Sequence, residues 1–503
     1  MDNAKCRIGS PIRDTVADAG RYFPSRWVQV VASVVSVVFL SRIMGPTEYG
    51  TYIVLLTLSA LLSTLTFNWV TASAFRFHEE ARQAGDLSGL YHELAFCYLI
   101  MAGIWLVLGG TVIVLVMKRY IEVSIAGVAW LALLGLLDPV VNMYQSIKMA
   151  GRQVQSAVAV AVSDSVLRCV LGIGGALLFV DRVGGVFAGQ FVACGLVVSV
   201  LAFRLRSQIW LLTGRLDPRR VWAFMSYGYP MAGMTISSWV LSVSDRLLLS
   251  WMMGASAVGV YSVGYQLGSN SILFPSSSLM AGAFPVLIRE YERGGQAPAA
   301  KLLTNLVTGV LIAGSALVIF LGIVSEAIVK VLLGHPYTGA AAVIPVVALG
   351  QLLMAISEYF AKSFQLAKQT SALFLITLVA AFVNVLANLV LIPWIGIMGS
   401  AVATVLAYGM ALAITASYSH KLLPIRLPLG SLWRIALAAV GPCVVLLWLQ
   451  PSLERTPVVA GLLGLLGVGL FVATLWVTRE PTVVTVARLI FDRKKREVKE
   501  WWI

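Results

Sequence analysis

Fourteen long apolar segments follow one another along the 503-residue chain, and this succession limits the folds that are open to it. A helix needs about 20 residues to cross the hydrocarbon core of a bilayer. None of the segments shows the alternating pattern of a membrane barrel strand, so helices are expected throughout. The segments fall at about 27–44, 49–71, 94–117, 121–147, 156–180, 183–203, 222–252, 257–286, 303–333, 339–361, 371–393, 397–418, 432–450 and 456–478.

The charge content supports the same interpretation. Charged residues make up 12% of the chain and hydrophobic residues 59%, which leaves too little charge to cover the surface of a water-soluble protein. A soluble enzyme, a nucleic-acid-binding protein and a disordered chain are therefore excluded. We predict an all-α polytopic membrane protein with about 14 transmembrane helices, short connections and no large soluble domain.

Lysine and arginine are distributed unevenly between alternate connections. If both termini are cytoplasmic, 29 of the 37 basic residues face the cytoplasm and six face the other side, while Arg168 and Arg246 lie within spans. This asymmetry is typical of cytoplasmic loops. We therefore expect a multi-pass protein with both ends in the cytoplasm. The basic tail from Arg488 to Ile503 is expected either to lie on anionic membrane lipids or to be solvated.

The two halves of the chain share a sequence pattern. Leu40-Ser41-x-x-Met44-Gly45-x4-Gly50-x-Tyr52 recurs 209 residues later as Leu249-Ser250-x-x-Met253-Gly254-x4-Gly259-x-Tyr261. At an offset of 220, Asp138 corresponds to Glu358, Lys148 to Lys368, Asp164 to Asn384 and Arg168 to Asn388. Two copies of a six-helix unit explain both offsets, and an even number of spans gives the copies the same orientation. The predicted domains are an N-lobe at 1–205, a C-lobe at 206–420, and two further helices with the tail at 421–503.

Charged residues within the spans are the candidate functional residues, because each costs at least about 2.5–3.5 kcal/mol to place in hydrocarbon. An arginine in a hydrated cavity can grip a diphosphate with two hydrogen bonds, and a carboxylate can take up a proton or a cation. The substrate-binding candidates are Arg168, Arg246, Lys362, Asp164 and Asp245, and the ion-coupling candidates are Asp138 and Glu358.

A structural alternative remains open for these charges. Asp164 and Arg168, like Glu358 and Lys362, are four residues apart, so each pair can neutralise itself to let its helix enter the membrane. Asp138 has no basic residue one turn away, which favours a coupling role. Asp245 and Arg246 are adjacent, about 100° apart on a helix, and are not expected to share one partner face to face.

The common enzyme motifs are missing from the sequence. It contains no Walker A, G-x-S-x-G or H-E-x-x-H motif, and its four histidines lie in separate loops. Gly172-x-Gly174-Gly175 lies inside an apolar segment, where helix packing explains it better than phosphate binding. We expect a protein that is not an enzyme, without cofactor, metal site or nucleic-acid partner.

Several motifs in order resemble one known family. They are Arg42-x-x-Gly45-Pro-x-Glu48-Tyr-Gly50-x-Tyr52, Phe75-Arg76-Phe77 before Gly85-Asp86, Tyr227-Gly228-x-Pro230, Asp245-Arg246, Gly259-x-Tyr261, Gly334-x-x-Tyr337 and Gln365-x-x-x-Lys368. Over residues 10–420 the chain resembles the bacterial polysaccharide-export flippases of the multidrug/oligosaccharidyl-lipid/polysaccharide (MOP) superfamily.

The resemblance implies a function and an architecture. A family member has two six-helix lobes, often with two extra C-terminal helices. It moves undecaprenyl-diphosphate-linked oligosaccharide repeat units to the outer leaflet of the bacterial inner membrane, for surface polysaccharide, lipopolysaccharide or exopolysaccharide. Alternating access and ion coupling are expected, and a polysaccharide polymerase or export complex is a further candidate partner. The alternative is a drug or cation antiporter of the same superfamily, which would favour an acidic cavity.

Overall fold

The computed structural model describes residues 10–111, 124–151, 153–209, 216–369, 371–425, 429–453 and 457–484. Across these residues the chain forms fourteen α-helices and no β-strand. The helices are α1 (Ser10–Ile43), α2 (Pro46–Ala84), α3 (Leu87–Ile104), α4 (Ile125–Ala150), α5 (Val154–Leu178), α6 (Arg182–Ile209), α7 (Pro218–Met253), α8 (Ala255–Gly294), α9 (Gln296–Leu332), α10 (Ala340–Leu366), α11 (Ser371–Ile395), α12 (Ile397–Leu422), α13 (Leu429–Leu453) and α14 (Pro457–Val477).

Each of these helices overlaps one predicted apolar segment. Within the described ranges, eleven are long and apolar enough to cross a membrane, and α1 contributes a shorter apolar stretch at Trp27–Ile43. The prediction of an all-α polytopic membrane protein is confirmed, with 14 as the approximate number of spans. The predicted basic tail at 488–503 lies outside the described residues.

The first long connection differs from the prediction in one respect. The charged stretch from Arg76 to Asp86 predicts an amphipathic surface helix that follows span 2 and ends near Gly85. In the structure, α2 continues without a break through Arg76 to Ala84. No proline or glycine interrupts residues 71–84, so nothing in this stretch ends the helix. The helix ends at Gly85, whose φ of 72° suits a residue without a side chain, and Asp86 then caps α3 through the N–H of Gly89.

Glycine brings the backbones of α5 and α6 together. A Cβ atom at Gly175 would overlap the carbonyl oxygen of Gly185, and one at Gly189 would overlap that of Leu171. Gly172 lies against the side chain of Gln190. The prediction that the Gly172–Gly175 region serves helix packing is confirmed, and the two helices form a tight antiparallel pair.

The chain divides into two compact units. Unit 1 contains residues up to Val263 together with Ala381–Ser400, and unit 2 contains Gly264–Ala380 and the residues from Ala401 onward. The predicted domains at 1–205, 206–420 and 421–503 follow the sequence repeat rather than packing, and they stay a prediction.

Within unit 1, a glycine contact joins the starts of α2 and α8. A Cβ atom at Gly50 would overlap the carbonyl oxygen of Ala255, and a Cβ atom at Gly259 would overlap that of Pro46. Gly50 and Gly259 are repeat partners at the offset of 209, and so are Pro46 and Ala255. Each half of the contact therefore corresponds to the other half when one repeat copy is superposed on the other, as in an isologous interface. This reciprocity supports the pseudo-twofold relation that the sequence pattern predicts.

Within unit 2, the two C-terminal helices pack on α9. Ile323 and Val324 of α9 belong to one buried cluster with Ile435 of α13 and Phe471 of α14. Beyond the end of α14, the buried Glu480 accepts hydrogen bonds from Ser431 Oγ at 2.6 Å and from Arg434 at 3.2 Å. The apolar cluster holds both additional helices to α9, and the Glu480 hydrogen bonds join the end of α14 to α13.

The glycine contact between α2 and α8 generates a stability prediction. We expect Gly50→Ala and Gly259→Ala each to lower the free energy of unfolding by about 1–3 kcal/mol, because the added methyl group overlaps a backbone carbonyl that cannot rotate away. The matched control is Gly45→Ala, since Gly45 has a φ of −69° and open space where its Cβ would lie. Thermal unfolding in detergent measures the effect, and equal melting temperatures for the Gly45 and Gly50 variants would contradict the contact.

Candidate functional site

A charge triad in unit 1 joins two membrane helices. It consists of Asp138 on α4 and of Asp164 and Arg168 on α5. Arg168 Nε donates a hydrogen bond to Asp164 Oδ1 at 2.9 Å, and Arg168 Nη2 donates one to Asp138 Oδ1. The Arg168 and Asp164 side chains are 19% and 16% exposed, and that of Asp138 is 37% exposed. One guanidinium is therefore shared by two carboxylates, which leaves the triad with one excess negative charge.

Asp138 has an ion-pair partner, although no basic residue lies one turn away on its own helix. Asp138 was favoured for ion coupling because it has no basic residue one turn away on its own helix. In the structure its partner comes from the neighbouring helix α5, and the two helices also contact each other. Asp164 and Arg168 form an ion pair at the spacing that the sequence predicts, but Arg168 also pairs with a second carboxylate, that of Asp138.

A second polar contact lies beside α5. Gln190 Nε2 on α6 donates a hydrogen bond to the hydroxyl of Tyr52 on α2 at 2.8 Å, and the Tyr52 ring packs against Phe187. Tyr52 is buried and belongs to the repeated Gly-x-Tyr motif. The contact fixes α6 against α2, and α6 in turn fixes α5 through the glycine contacts.

The repeat partner of Tyr52 contacts the other charged pair in unit 1. Tyr261 donates a hydrogen bond from its hydroxyl to Asp245 Oδ2 at 2.5 Å. Asp245 Oδ1 accepts the backbone N–H of Arg246 at 2.8 Å and lies 3.5 Å from Arg246 Nη1. The side chains of Asp245 and Arg246 are only 4% and 10% exposed. The two neighbours contact each other because the long arginine side chain folds back along α7, where it also donates to the carbonyl of Ser242.

Two asparagines on α11 pack beside this pair. Asn388 Nδ2 donates to Asn384 Oδ1 at 3.1 Å, and Ser244 on α7 donates to the same oxygen at 3.4 Å. Both asparagines are buried, and Asn388 Oδ1 and Asn384 Nδ2 have no hydrogen-bond partner among the described residues. Asn384 and Asn388 are the repeat partners of Asp164 and Arg168. The same donor-to-acceptor bond, from residue i+4 to residue i, is therefore ionic in one copy and neutral in the other.

The charged pair of unit 2 is arranged differently. Glu358 on α10 is exposed and forms no hydrogen bond or ion pair within the part of the chain that the structure describes. Lys362 Nζ lies 5.2 Å from the centre of the Phe284 ring on α8, which is a cation–π distance. The two residues share the spacing of an i,i+4 pair but do not form an ion pair.

Sequence reasoning missed three members of these sites. Tyr261 lay within a recognised motif, and Asn384 and Asn388 were seen only as repeat partners of charged residues. Each of them is a polar residue at a constant sequence offset from a polar residue of the other repeat. The offset identifies the position but does not predict which residue it contacts.

The fold is similar to that of known all-α membrane proteins. It is similar to a structure of the lipid II flippase MurJ in an inward closed conformation, with a TM-score of 0.69 at 13% identity over 90% of this chain and 98% of that one. An inward-facing multidrug resistance MATE family transporter of the MOP superfamily matches with a TM-score of 0.59 at 14% identity, over 78% and 94% of the two chains. At these identities the likeness concerns the fold alone.

Sequence comparison then identifies the family. The polysaccharide biosynthesis protein family matches residues 19–291, and the chain belongs to this family. The probable low-salt glycan biosynthesis flippase Agl15 of Haloferax volcanii is 23% identical over 272 residues, which are 52% of this chain and 55% of that protein. The chain thus spans about half the length of the curated relative it matches. The resemblance drawn from the sequence motifs is confirmed.

The two repeat-related tyrosines generate a prediction about the buried carboxylate. We expect Tyr261→Phe to lower the free energy of unfolding by about 1.5–3 kcal/mol, because it removes a hydrogen bond to the charged group of Asp245. The matched variant Tyr52→Phe removes a bond to a neutral amide and should cost only about 0.5–1.5 kcal/mol. Unfolding of both variants in the same detergent makes the comparison, and a larger loss for Tyr52→Phe would refute the importance of the Asp245 contact.

Proposed function

We propose that the protein flips lipid-linked oligosaccharide repeat units across the inner membrane of a bacterium, with undecaprenyl diphosphate as the lipid carrier. Family membership supports a role in polysaccharide biosynthesis. Two similar proteins are named flippases, one for a glycan pathway and one for lipid II. The observation that carries the proposal is the position of Arg168, whose guanidinium lies within a membrane helix and is held between two carboxylates.

Arg168 has the chemistry that a diphosphate requires. A guanidinium is weakly hydrated and offers parallel N–H donors that match two phosphate oxygens. In the empty protein, Asp138 and Asp164 occupy these donors and offset the cost of placing the charge in the membrane. An arriving diphosphate would replace Asp138 as the acceptor of the hydrogen bond from Arg168 Nη2. Asp138 is the carboxylate to be replaced because it is more exposed than Asp164.

This exchange gives a physical reason for ion coupling. The triad already carries one excess negative charge, so a diphosphate binds against electrostatic repulsion unless a carboxylate is neutralised. A proton or a cation taken up at Asp138 would remove that repulsion. Glu358 is the second coupling candidate, because it is exposed and has no ion-pair partner among the described residues.

The remaining candidates have supporting roles. Arg246 is more buried than Arg168 and is held by Asp245 and the Ser242 carbonyl, so it ranks second as a phosphate ligand. Lys362 is held by an aromatic ring rather than a carboxylate, which leaves its charge available to an anionic substrate. Both termini are proposed to be cytoplasmic, and a polysaccharide polymerase or export complex would receive the flipped product.

A drug or cation antiporter is the second candidate function. The excess carboxylate in the triad favours it, because a cation would bind there without displacing the arginine. The two functions differ in the role of Arg168. A flippase needs the charge of Arg168 to bind the substrate, whereas an antiporter needs it only to offset the negative charge of the neighbouring carboxylates.

The main experiment replaces Arg168 in a deletion strain complemented with each variant. We expect Arg168→Ala to abolish export of the surface glycan and Arg168→Lys to impair it partly, because lysine keeps the charge but loses the two-pronged geometry. Surface glycan is measured at equal membrane abundance of the protein. Arg182→Ala is the matched control, since Arg182 forms an ion pair with Glu48 in which both side chains are nearly half exposed.

Loss of the arginine alone also leaves two carboxylates unpaired, which is destabilising in itself. The triple variant Asp138→Asn, Asp164→Asn, Arg168→Gln keeps the hydrogen-bonding groups without charge and separates folding from transport. We expect it to insert normally and to export no glycan. Normal glycan levels from this variant would assign the triad a structural role and remove the basis of the proposal.

The coupling candidates are tested in proteoliposomes with an imposed proton or sodium gradient. We expect Glu358→Gln and Asp138→Asn to reduce the stimulation of lipid flipping by the gradient while leaving slow flipping without a gradient, because each removes a carboxylate that can be neutralised. Glu326→Gln is the control, since Glu326 is also an exposed carboxylate on a membrane helix of unit 2. Full stimulation in both test variants would show that coupling resides elsewhere.

A further inference from the structure

A groove of about 440 Å³ opens between α5 and α6 in unit 1 and is not used by the proposed transport site. The end of α4, the first half of α5 and the second half of α6 line it. The antiparallel pairing of α5 and α6 sets Gly175 opposite Gly185 and Leu171 opposite Gly189. Continuing this register places Arg204 level with Ser156 at one end of the groove, and Val197 level with Ser163 toward the other.

The groove changes from polar to apolar along its length. Its first end is lined by Gln155, Ser156, Tyr144 and Arg204, and its second end mostly by Leu167, Leu196 and Val197, with Ser163 as the polar residue there. From Gln155 to Leu167 the helix rises about 18 Å, at 1.5 Å per residue. This is more than half of a hydrocarbon core of about 30 Å, so the groove has the length of one leaflet.

Two basic residues lie at the polar end, Arg204 in its wall and Lys148 beside the lining residue Tyr144, and neither has an acidic hydrogen-bond or ion-pair partner among the described residues. Arg204 is exposed and forms no hydrogen bond or ion pair with any residue that the structure describes. Lys148 donates to Gln153 Oε1 at 2.8 Å and lies 5.4 Å from the centre of the Tyr144 ring, and both partners are neutral. The charge distribution along the groove is therefore that of a receptor for an anionic amphiphile.

We propose that this groove binds one anionic phospholipid of the leaflet that faces the N-terminal end of α5, which is the cytoplasmic leaflet in the predicted orientation. Its phosphate is held by Arg204 and Lys148, and one acyl chain lies along Val160, Val200 and Leu167. Basic pockets between membrane helices on this side are suited to anionic headgroups. The bound lipid contacts α5 at Ser163 and Leu167, the residues that precede Asp164 and Arg168, so it also supports the helix that carries the charge triad.

Native mass spectrometry of the full-length protein in detergent tests the proposal. The probes are phosphatidylglycerol and phosphatidylcholine with identical acyl chains. We expect phosphatidylglycerol to bind more tightly to the wild-type protein. Lys148→Gln and Arg204→Gln should each weaken its binding about fivefold, and together about thirtyfold, since a basic side chain near a membrane surface contributes about 1 kcal/mol. Lys301→Gln is the control, because Lys301 is an exposed basic residue outside the groove, and it should change nothing.

A second variant tests the groove without altering charge. Val200→Trp fills the apolar part and should lower the binding of phosphatidylglycerol several-fold while Arg204 and Lys148 remain in place. Unchanged binding in this variant would mean that the lipid is held only by surface charge, and it would overturn the proposal. Equal binding of the two phospholipids to the wild type would overturn it as well. Displacement of phosphatidylglycerol by a polyprenyl diphosphate, with loss of glycan export in Val200→Trp, would instead assign the groove to the transported lipid.

Discussion

Close backbone contact through glycine is the interaction on which the rest of this structure depends. Lipid tails are as apolar as leucine, so membrane helices gain little from burying apolar side chains against one another and must gain from packing. Glycine permits that packing where α5 meets α6 and where α2 meets α8. The first contact sets the position of Arg168, and the second joins the two sequence repeats at equivalent residues.

The intramembrane charges can be tolerated because this framework brings their partners within reach. Arg168 is stabilised by carboxylates from two helices, and Asp245 by a tyrosine from α8 and by its own neighbour. Glu358 and Lys362 lack such an ion pair among the described residues, and their charges remain available. The molecule therefore contains both satisfied and available charges, which is the combination that a transport cycle with exchange of partners requires.

Most of the fold could be predicted from the sequence, because hydrophobic length and helix-ending residues act locally. The apolar segments each correspond to a helix, and Gly85 ends α2 as expected. The partners in the candidate site could be predicted only within one helix. Asp164 and Arg168 are four residues apart and meet as the spacing indicates, whereas the contact of Arg168 with Asp138 depends on how α4 and α5 pack. The fold-back of Arg246 onto Asp245 was missed because a flexible side chain overrides the angle between neighbouring positions.

The two repeats share a geometry but differ in charge, and this difference bears on mechanism. In the first copy, residue i+4 donates to residue i as arginine to aspartate, and in the second copy as asparagine to asparagine. A neutral pair satisfies the same hydrogen bond at a much lower cost in hydrocarbon. Packing alone would therefore favour the neutral form in both copies. Retention of the ionic form in the first copy, together with an additional carboxylate from α4, is an energetic cost that packing does not explain. That cost is accounted for if the first copy must release an arginine to an anionic group during each transport cycle.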